Sequence, residues 1–388
     1  MTAAPTLTKV KDVIQDCNLN FLIGSGLSAP YLHTLGSIEN LLTSLDDDVH
    51  LDNEKKAIIK CSLYKHYFDV VMARNLEILS SDDGAKNVLE GYKDFLTSLN
   101  TILLRRKSSI LGKGVNIFTT NIDIFLEVAL EEVGLECNDG FNGRFKPSFS
   151  LSNFNNSRYK RSLHFDNISE LPVFNLLKLH GSLTWKLDRA NKIVFSPELN
   201  HVKEVKDSLV PGSALLEINA ETTLPKLATA VTGMPLDNSV LTFLDAYEKL
   251  LVVNPTKEKF KSTLLNYTHY ELLRIYSNEL EKDNSVLFVM GFSFADQHIR
   301  EITLRAANSN PTLLIYVIAH TSTSATQIRA LFGTNTIKNA NITFVAPTRG
   351  EEGDNFAYDL ATINREIFGK LFSEEAVVQS AGVEDQES

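Results

Sequence analysis

The chain alternates short, nearly continuous apolar runs with longer stretches of helical periodicity. The runs are Leu19-Asn20-Phe21-Leu22-Ile23, Val115-Asn116-Ile117-Phe118, Leu176-Leu177-Lys178-Leu179, Val286-Leu287-Phe288-Val289-Met290, Leu313-Leu314-Ile315-Tyr316-Val317-Ile318 and Ile342-Thr343-Phe344-Val345. Runs rich in Val, Ile, Leu and Phe suit strands covered on both faces, as in a parallel sheet. Helical patterns lie between them, so the expected class is α/β: a Rossmann-like, doubly wound parallel sheet. The clearest helix follows the second strand, with Ile122, Phe125, Leu126, Ala129, Leu130 and Val133 on one face and Glu127, Glu131 and Glu132 on the other. Gly134 is its natural stop, and Asn121 stands where an N-cap belongs. A second long helix is predicted over 257–281, with Phe260, Leu264, Tyr267, Tyr270, Leu273, Tyr276 and Leu280 at helical spacing.

The stretches 36–110, 138–175 and 185–255 exceed a minimal core and read as insertions forming a mainly helical lobe. The core with these insertions spans residues 1–372, and the acidic tail 373–388 is expected to be disordered.

Polar and glycine residues gather where the strands end. The first strand runs into Gly24-Ser25-Gly26-Leu27-Ser28-Ala29, which reads as a tight turn opening a helix. A backbone without Cβ there can approach a pyrophosphate and point N–H groups at it. The plainer reading is a turn that needs a positive φ. The second strand leads to Thr119-Thr120-Asn121-Ile122-Asp123, the third to His180-Gly181-Ser182, and the fourth to Gly291-Phe292-Ser293-Phe294-Ala295-Asp296. Open α/β sheets bind their ligands at these carboxyl ends.

Charge and cysteine content narrow the picture. A net charge of -10 over 388 residues argues against a broad nucleic-acid-binding face. No run is long and apolar enough for a membrane span, and the first residues lack a signal-peptide pattern, so a cytoplasmic protein is expected. Cys17, Cys61 and Cys137 are far apart and form no C-x-x-C pair, so neither a disulfide framework nor a four-thiolate zinc site is expected.

The ordered blocks G-x-G-x-S, T-x-N-x-D, L-H-G-S and strand-G-x-S resemble the sirtuin superfamily across the core, though not across the insertions. The resemblance implies cleavage of the nicotinamide–ribose bond of NAD. It assigns Gly24, Ser25, Gly26 and Ser28 to the pyrophosphate, and Asn121 and Asp123 to the nicotinamide ribose and carboxamide. His180 becomes the base acting on ribose hydroxyls or water, and Ser293 a phosphate contact. Thr120, Gly291 and Asp296 complete the expected cofactor-binding set, with Asn121 and His180 catalytic. Each residue also has a plain structural reading. Asn121 fits a helix N-cap, Asp123 a partner for the helix dipole, His180 a turn histidine, and Asp296 the N-cap of the helix holding Ile299, Ile302 and Ala306. His298 and His320 are as readily structural.

Departures from the sirtuin pattern shift the expected acceptor. The paired cysteines of the deacetylases' zinc module are absent, Thr120 stands where they carry glutamine, and Pro30-Tyr31-Leu32-His33 lacks their Asp-Phe-Arg signature. The chain looks instead like divergent bacterial members that hydrolyse NAD in antiphage defence. Gly291-Phe292-Ser293-Phe294-Ala295-Asp296-Gln297-His298-Ile299 and Asn254-Pro255-Thr256-Lys257 agree with that branch. The expectation is an NAD glycohydrolase, a homo-oligomer that pairs with a HerA-type DNA-translocating ATPase. The alternatives are an NAD-dependent protein lysine deacylase and a non-catalytic scaffold that senses NAD or ADP-ribose.

Overall fold

The computed structural model describes residues 13–33, 38–80, 82–106, 111–208, 210–253, 263–333, 337–347 and 357–369. The expected tail and Asn254-Pro255-Thr256-Lys257 lie outside them. The core is a seven-stranded sheet whose pairings are all parallel. Its strands are β1 (Asn18–Ile23), β2 (Gly114–Thr119), β3 (Cys137–Asn138), β8 (Val173–Lys178), β11 (Ser285–Met290), β12 (Leu314–Ile318) and β13 (Ile342–Val345), in the order β13-β12-β11-β1-β2-β8-β3. The remaining strands, β4 (Phe141–Asn142), β5 (Ser148–Phe149), β6 (Tyr159–Arg161), β7 (Ile168–Glu170), β9 (Trp185–Leu187) and β10 (Ile193–Phe195), form two small antiparallel sheets. From β1 the chain builds towards β2, β8 and β3, then returns to the other side of β1 for β11, β12 and β13. The topological switch point lies between β1 and β11, and ligands of such sheets bind at the strand ends there.

Side chains alternate between two apolar layers, as the twofold period of a strand requires. Phe21, Ile117, Phe174 and Phe288 face one layer; Leu22, Phe118, Leu177, Leu287 and Val289 face the other. The long helices are α1 (Ile38–Asp47), α2 (Asn53–Tyr67), α3 (Asp83–Arg105), α4 (Phe125–Val133), α5 (Asn200–Asp207), α6 (Asn238–Tyr247), α7 (Thr263–Glu281), α8 (Gln297–Ser309) and α9 (Ser322–Phe332). Helices α1 to α6 join the first layer, so the helical insertion shares one continuous core with the sheet. Helices α7 to α9 cover the second layer through Leu273, Tyr276, Leu280, Ile299, Ala306 and Phe332.

Two side-chain ladders mark the register. On one face, Asn116 Nδ2 donates to Asn20 Oδ1 (2.9 Å), Asn175 Nδ2 to Asn116 Oδ1 (2.8 Å) and Asn138 Nδ2 to Asn175 Oδ1 (3.0 Å). These four asparagines are paired neighbours across β1, β2, β8 and β3. On the other face, Phe21, Phe288 and Tyr316 stack across β1, β11 and β12 with centroid spacings of 5.3 Å. Continuous apolar strands specify register weakly by hydrophobicity alone, and a slip of one residue would break both ladders.

Several expectations change. The glycine turn opens only a single 3-10 turn, Ser25–Leu27, because Pro30 has no N–H with which to continue a helix. Helix α4 starts at Phe125, so Asn121 is not its N-cap and Ile122 precedes it. The earlier residues are held by side chains instead: Asn75 Oδ1 accepts from Ile124 N–H (3.1 Å) and Asp123 Oδ1 from Phe125 N–H (3.2 Å). Glu127, expected on the outer face, points inward with 12% of its side chain exposed. Helix α7 is described over Thr263–Glu281, residues 257–262 of the expected helix lying outside the described residues, and Tyr267 and Tyr270 are exposed rather than buried. Among the described residues no helix is long and apolar enough to cross a membrane.

Asn116→Ala removes two rungs and strands the fully buried Asn20 carbonyl oxygen. It should lower stability by about 1–3 kcal/mol. Urea unfolding of the variant against the parent checks this.

Candidate functional site

The loops after β1 and β11 meet backbone to backbone at the switch point. Gly24 N–H donates to Met290 O (3.0 Å) and Gly26 N–H to Gly291 O (3.0 Å). A Cβ on Gly24 would lie 2.4 Å from Gly291 O, one on Gly26 2.9 Å from it, and one on Gly291 2.7 Å from Leu27 N. Gly24 has φ −110, so the plain reading of a positive-φ turn fails for it. The glycines are required because the two loops touch. Leu27 N–H donates to Gly24 O and Ser28 N–H to Ser25 O, so four amides of this loop are committed within the protein. The expected row of N–H groups aimed at a pyrophosphate is therefore reduced. Ser25 and Gly26 themselves are exposed at the loop's crest.

Ser28 is fully buried and acts as a hub below that loop. Its hydroxyl donates to Asp123 Oδ2 (2.9 Å), accepts from Asn121 Nδ2 (3.3 Å) and lies 3.1 Å from the Tyr92 hydroxyl. Since the serine proton goes to Asp123, Tyr92 is the donor in the last contact. Asn121 Nδ2 also reaches Gly24 O (3.3 Å), and Asn121 N–H donates to Thr119 Oγ1 (3.0 Å). Asn121 is 4% exposed, and its Oδ1 is buried without a hydrogen-bond partner. A buried acceptor in that state costs free energy unless a ligand or water meets it. Thr120 is half-buried, its N–H 3.4 Å from Ile23 O.

A charged layer adjoins this hub. Lys178 Nζ, on a side chain 3% exposed, pairs with Glu127 (3.0 Å) and donates to the backbone oxygen of Asp123. Ser182 Oγ donates to Glu127 Oε1 (3.1 Å) and lies 3.0 Å from Thr184 Oγ1. Burial pushes the Asp123 and Glu127 carboxyls above their ordinary values, and the nearby Lys178 charge opposes that shift.

His180 and Asp296 close over the strand ends. His180 follows β8 and Asp296 follows β11, with β2 and β1 between those strands in the sheet. Three strand spacings amount to roughly 14 Å. Nevertheless His180 Nε2 lies 3.1 Å from Asp296 Oδ2, with the side chains 18% and 11% exposed. Asp296 Oδ1 accepts from the N–H groups of His298 (2.9 Å) and Ile299 (3.3 Å), so its N-cap reading holds as well. Gly181, at φ +76, lets the histidine loop lie against Leu251, whose carbonyl oxygen would be 2.1 Å from a Cβ. The neighbouring His269 directs Nδ1 at Leu179 O (2.6 Å), its ring centred 6.0 Å from that of His180. Ser293 is exposed and accepts from Ala295 N–H at 3.4 Å.

The expected residues are thus drawn to one rim, at two depths. Ser25, Gly26, Ser293 and part of His180 are accessible; Ser28 and Asp123 are internal supports. Tyr92 and Asn75 come from the insertion and are unmarked in the sequence. Lys178 carries a signal that was available: a lysine inside an apolar strand run needs a buried counter-charge. Among the described residues no cluster of three or more His, Cys, Asp or Glu side chains could hold a metal. A crevice of about 90 Å3 beside β3, lined by Cys137, Asn138 and Arg158 among others, includes none of the expected site residues.

Fold and rim together define a doubly wound α/β protein with polar groups gathered at the strand ends around its switch point. Compared with known proteins, the chain matches no family model, and no curated protein matches it.

Two substitutions probe the construction. Gly24→Ala forces a methyl into the Gly291 carbonyl and should cost about 1–3 kcal/mol, read as a drop in thermal midpoint. Lys178→Met leaves Glu127 buried without its counter-ion and should cost about 3–5 kcal/mol in urea unfolding.

Proposed function

We propose that this chain hydrolyses NAD+ at the nicotinamide–ribose bond, releasing nicotinamide and ADP-ribose. The observation that carries the reading is the Asn121 amide. Its NH2 group is held by Gly24 O and Ser28 Oγ, so its unpartnered Oδ1 is fixed as an acceptor. Breaking the C1′–N bond returns an electron pair to the cationic pyridinium and leaves positive charge on the ribose. A fixed carbonyl oxygen stabilises that charge without reorganising, and it also accepts a hydrogen bond from water or a ribose hydroxyl. Water forms the new C1′–O bond, and its proton passes to a ring nitrogen of His180. The exposed crest of Ser25 and Gly26, and the exposed Ser293 two residues after the Gly291 that touches it, suit the diphosphate. The four blocks of sirtuin resemblance support the same substrate. A role in antiphage defence and a HerA-type ATPase partner rest on that resemblance alone.

The test follows NAD+ consumption by the full chain, purified and in expressing cells, with products separated by chromatography. Nicotinamide and free ADP-ribose should appear in equal amounts. Asn121→Ala should lower turnover by about 10²–10³-fold, as loss of a positioned polar group does, with circular dichroism unchanged. NAD+ left intact, or full turnover by Asn121→Ala and His180→Ala, would overturn the reading. Transfer of ADP-ribose to an acyl group supplied as acyl-lysine peptide would point to deacylation instead.

A further inference from the structure

The two oxygens of Asp296 have different duties. Oδ1 caps α8 by accepting from the His298 and Ile299 amides, and this fixes the rotation of the carboxylate. Oδ2 is thereby turned onto His180 Nε2 at 3.1 Å. Both partners stand on constrained backbone. The Asp296 loop is pinned at one end by Gly291 against Gly24 and Gly26. Further along it Phe294 is fully buried at φ 58, a conformation that bulky residues adopt only when their surroundings impose it. The Phe294 ring lies 4.7 Å from Phe332 and 5.0 Å from Phe292, and its carbonyl accepts from Arg300 Nη1. On the other side, the His180 carbonyl accepts from Val253 N–H (2.8 Å), and Gly181 lies against Leu251. A contact between groups this restrained is part of the construction of the site.

We infer that Asp296 is a positioning residue that sets the tautomer of His180. The carboxylate accepts Nε2–H, so the neutral ring carries its lone pair on Nδ1, and Nδ1 is the nitrogen that receives the proton of the attacking water. Asp296 was expected among the NAD contacts; its role here is to act through the histidine. The identity of the proton donor rests on the NAD+ hydrolase reading, whereas the tautomer does not.

The cap makes the inference testable. In Asp296→Asn the carbonyl oxygen must stay on the two helix amides, since the amide NH2 cannot accept from them. The NH2 group then faces His180 as a donor, so Nε2 must become the acceptor and the ring proton moves to Nδ1. Nitrogen-15 NMR of histidine-labelled full chain, with the His180 signal assigned from its absence in His180→Gln, reads this directly. The expected result is Nε2–H in the parent and Nδ1–H in Asp296→Asn. Turnover of NAD+ should fall by about 10³-fold or more with KM little changed, the size of loss that follows when a catalytic histidine is held in the wrong tautomer. Asp296→Ser keeps a capping side chain but cannot reach the ring, and should give a mixture of tautomers; it serves if the asparagine variant does not fold. A parent ring protonated on Nδ1, or an Asp296→Asn ring with unchanged tautomer, would overturn the inference. A tautomer switch in a protein that cleaves no NAD+ would sink the hydrolase reading and leave the assignment of Asp296 standing.

Discussion

Backbone touches backbone where Gly24 and Gly26 meet Gly291, and the site depends on that contact. β1 and β11 are neighbours in the sheet but far apart in sequence, and their loops leave the strand ends on either side of the switch point. Any Cβ at these positions would fall within 3 Å of a backbone atom. Held this close, the β11 loop is directed across the ends of β1 and β2, and Asp296 meets a histidine that follows β8. Loosening the contact would separate the crest of Ser25 and Gly26 from the loop carrying Ser293 and Asp296. The close approach therefore sets the shape of the rim before any side chain contributes.

Beneath the rim the problem is electrostatic. Asp123, Glu127 and Lys178 leave water together, which is unfavourable unless each finds partners. Here they do: Ser28, the Phe125 amide, Ser182 and the Asp123 carbonyl share the work. Tyr92 from α3 completes the Ser28 hub, and Asn75 holds the turn ahead of α4. The helical insertion is thus part of the site's foundation as well as the sheet's apolar cover. One acceptor is left over, the Oδ1 of Asn121, in a neighbourhood where the other groups named are satisfied. That oxygen is the one acceptor of this group still open to a further hydrogen bond.

Sheet and ladders also explain how one sheet can be both apolar and exact in register. Asn20 and Phe21 are consecutive, point to opposite faces, and begin ladders that run in opposite directions from β1. Amides joined in series and rings stacked in series both require aligned neighbours, so the strand ends, and with them the site loops, arrive level with one another.

Strand positions were legible in the sequence because doubly buried strands are nearly all apolar; six of the seven strands announce themselves so, and four of these run into polar or glycine-bearing turns. β3, two residues long, does not. The order of glycine, asparagine, histidine and G-x-S blocks likewise marked the rim, since each block sits at a strand's carboxyl end. Periodicity could not fix where α4 begins or which way Glu127 faces. Those depended on Asn75 and Lys178, side chains 49 residues before Ile124 and 51 after Glu127. Nor could spacing separate a capping Asp296 from a functional one, for its two oxygens do both. The sequence by itself determined the strands, their class of sheet and the chemistry available at their ends, because these follow from local pattern. Only the tertiary structure decided which groups are supports and which stay accessible at the rim, because that depends on long-range contacts that bring each donor to its acceptor.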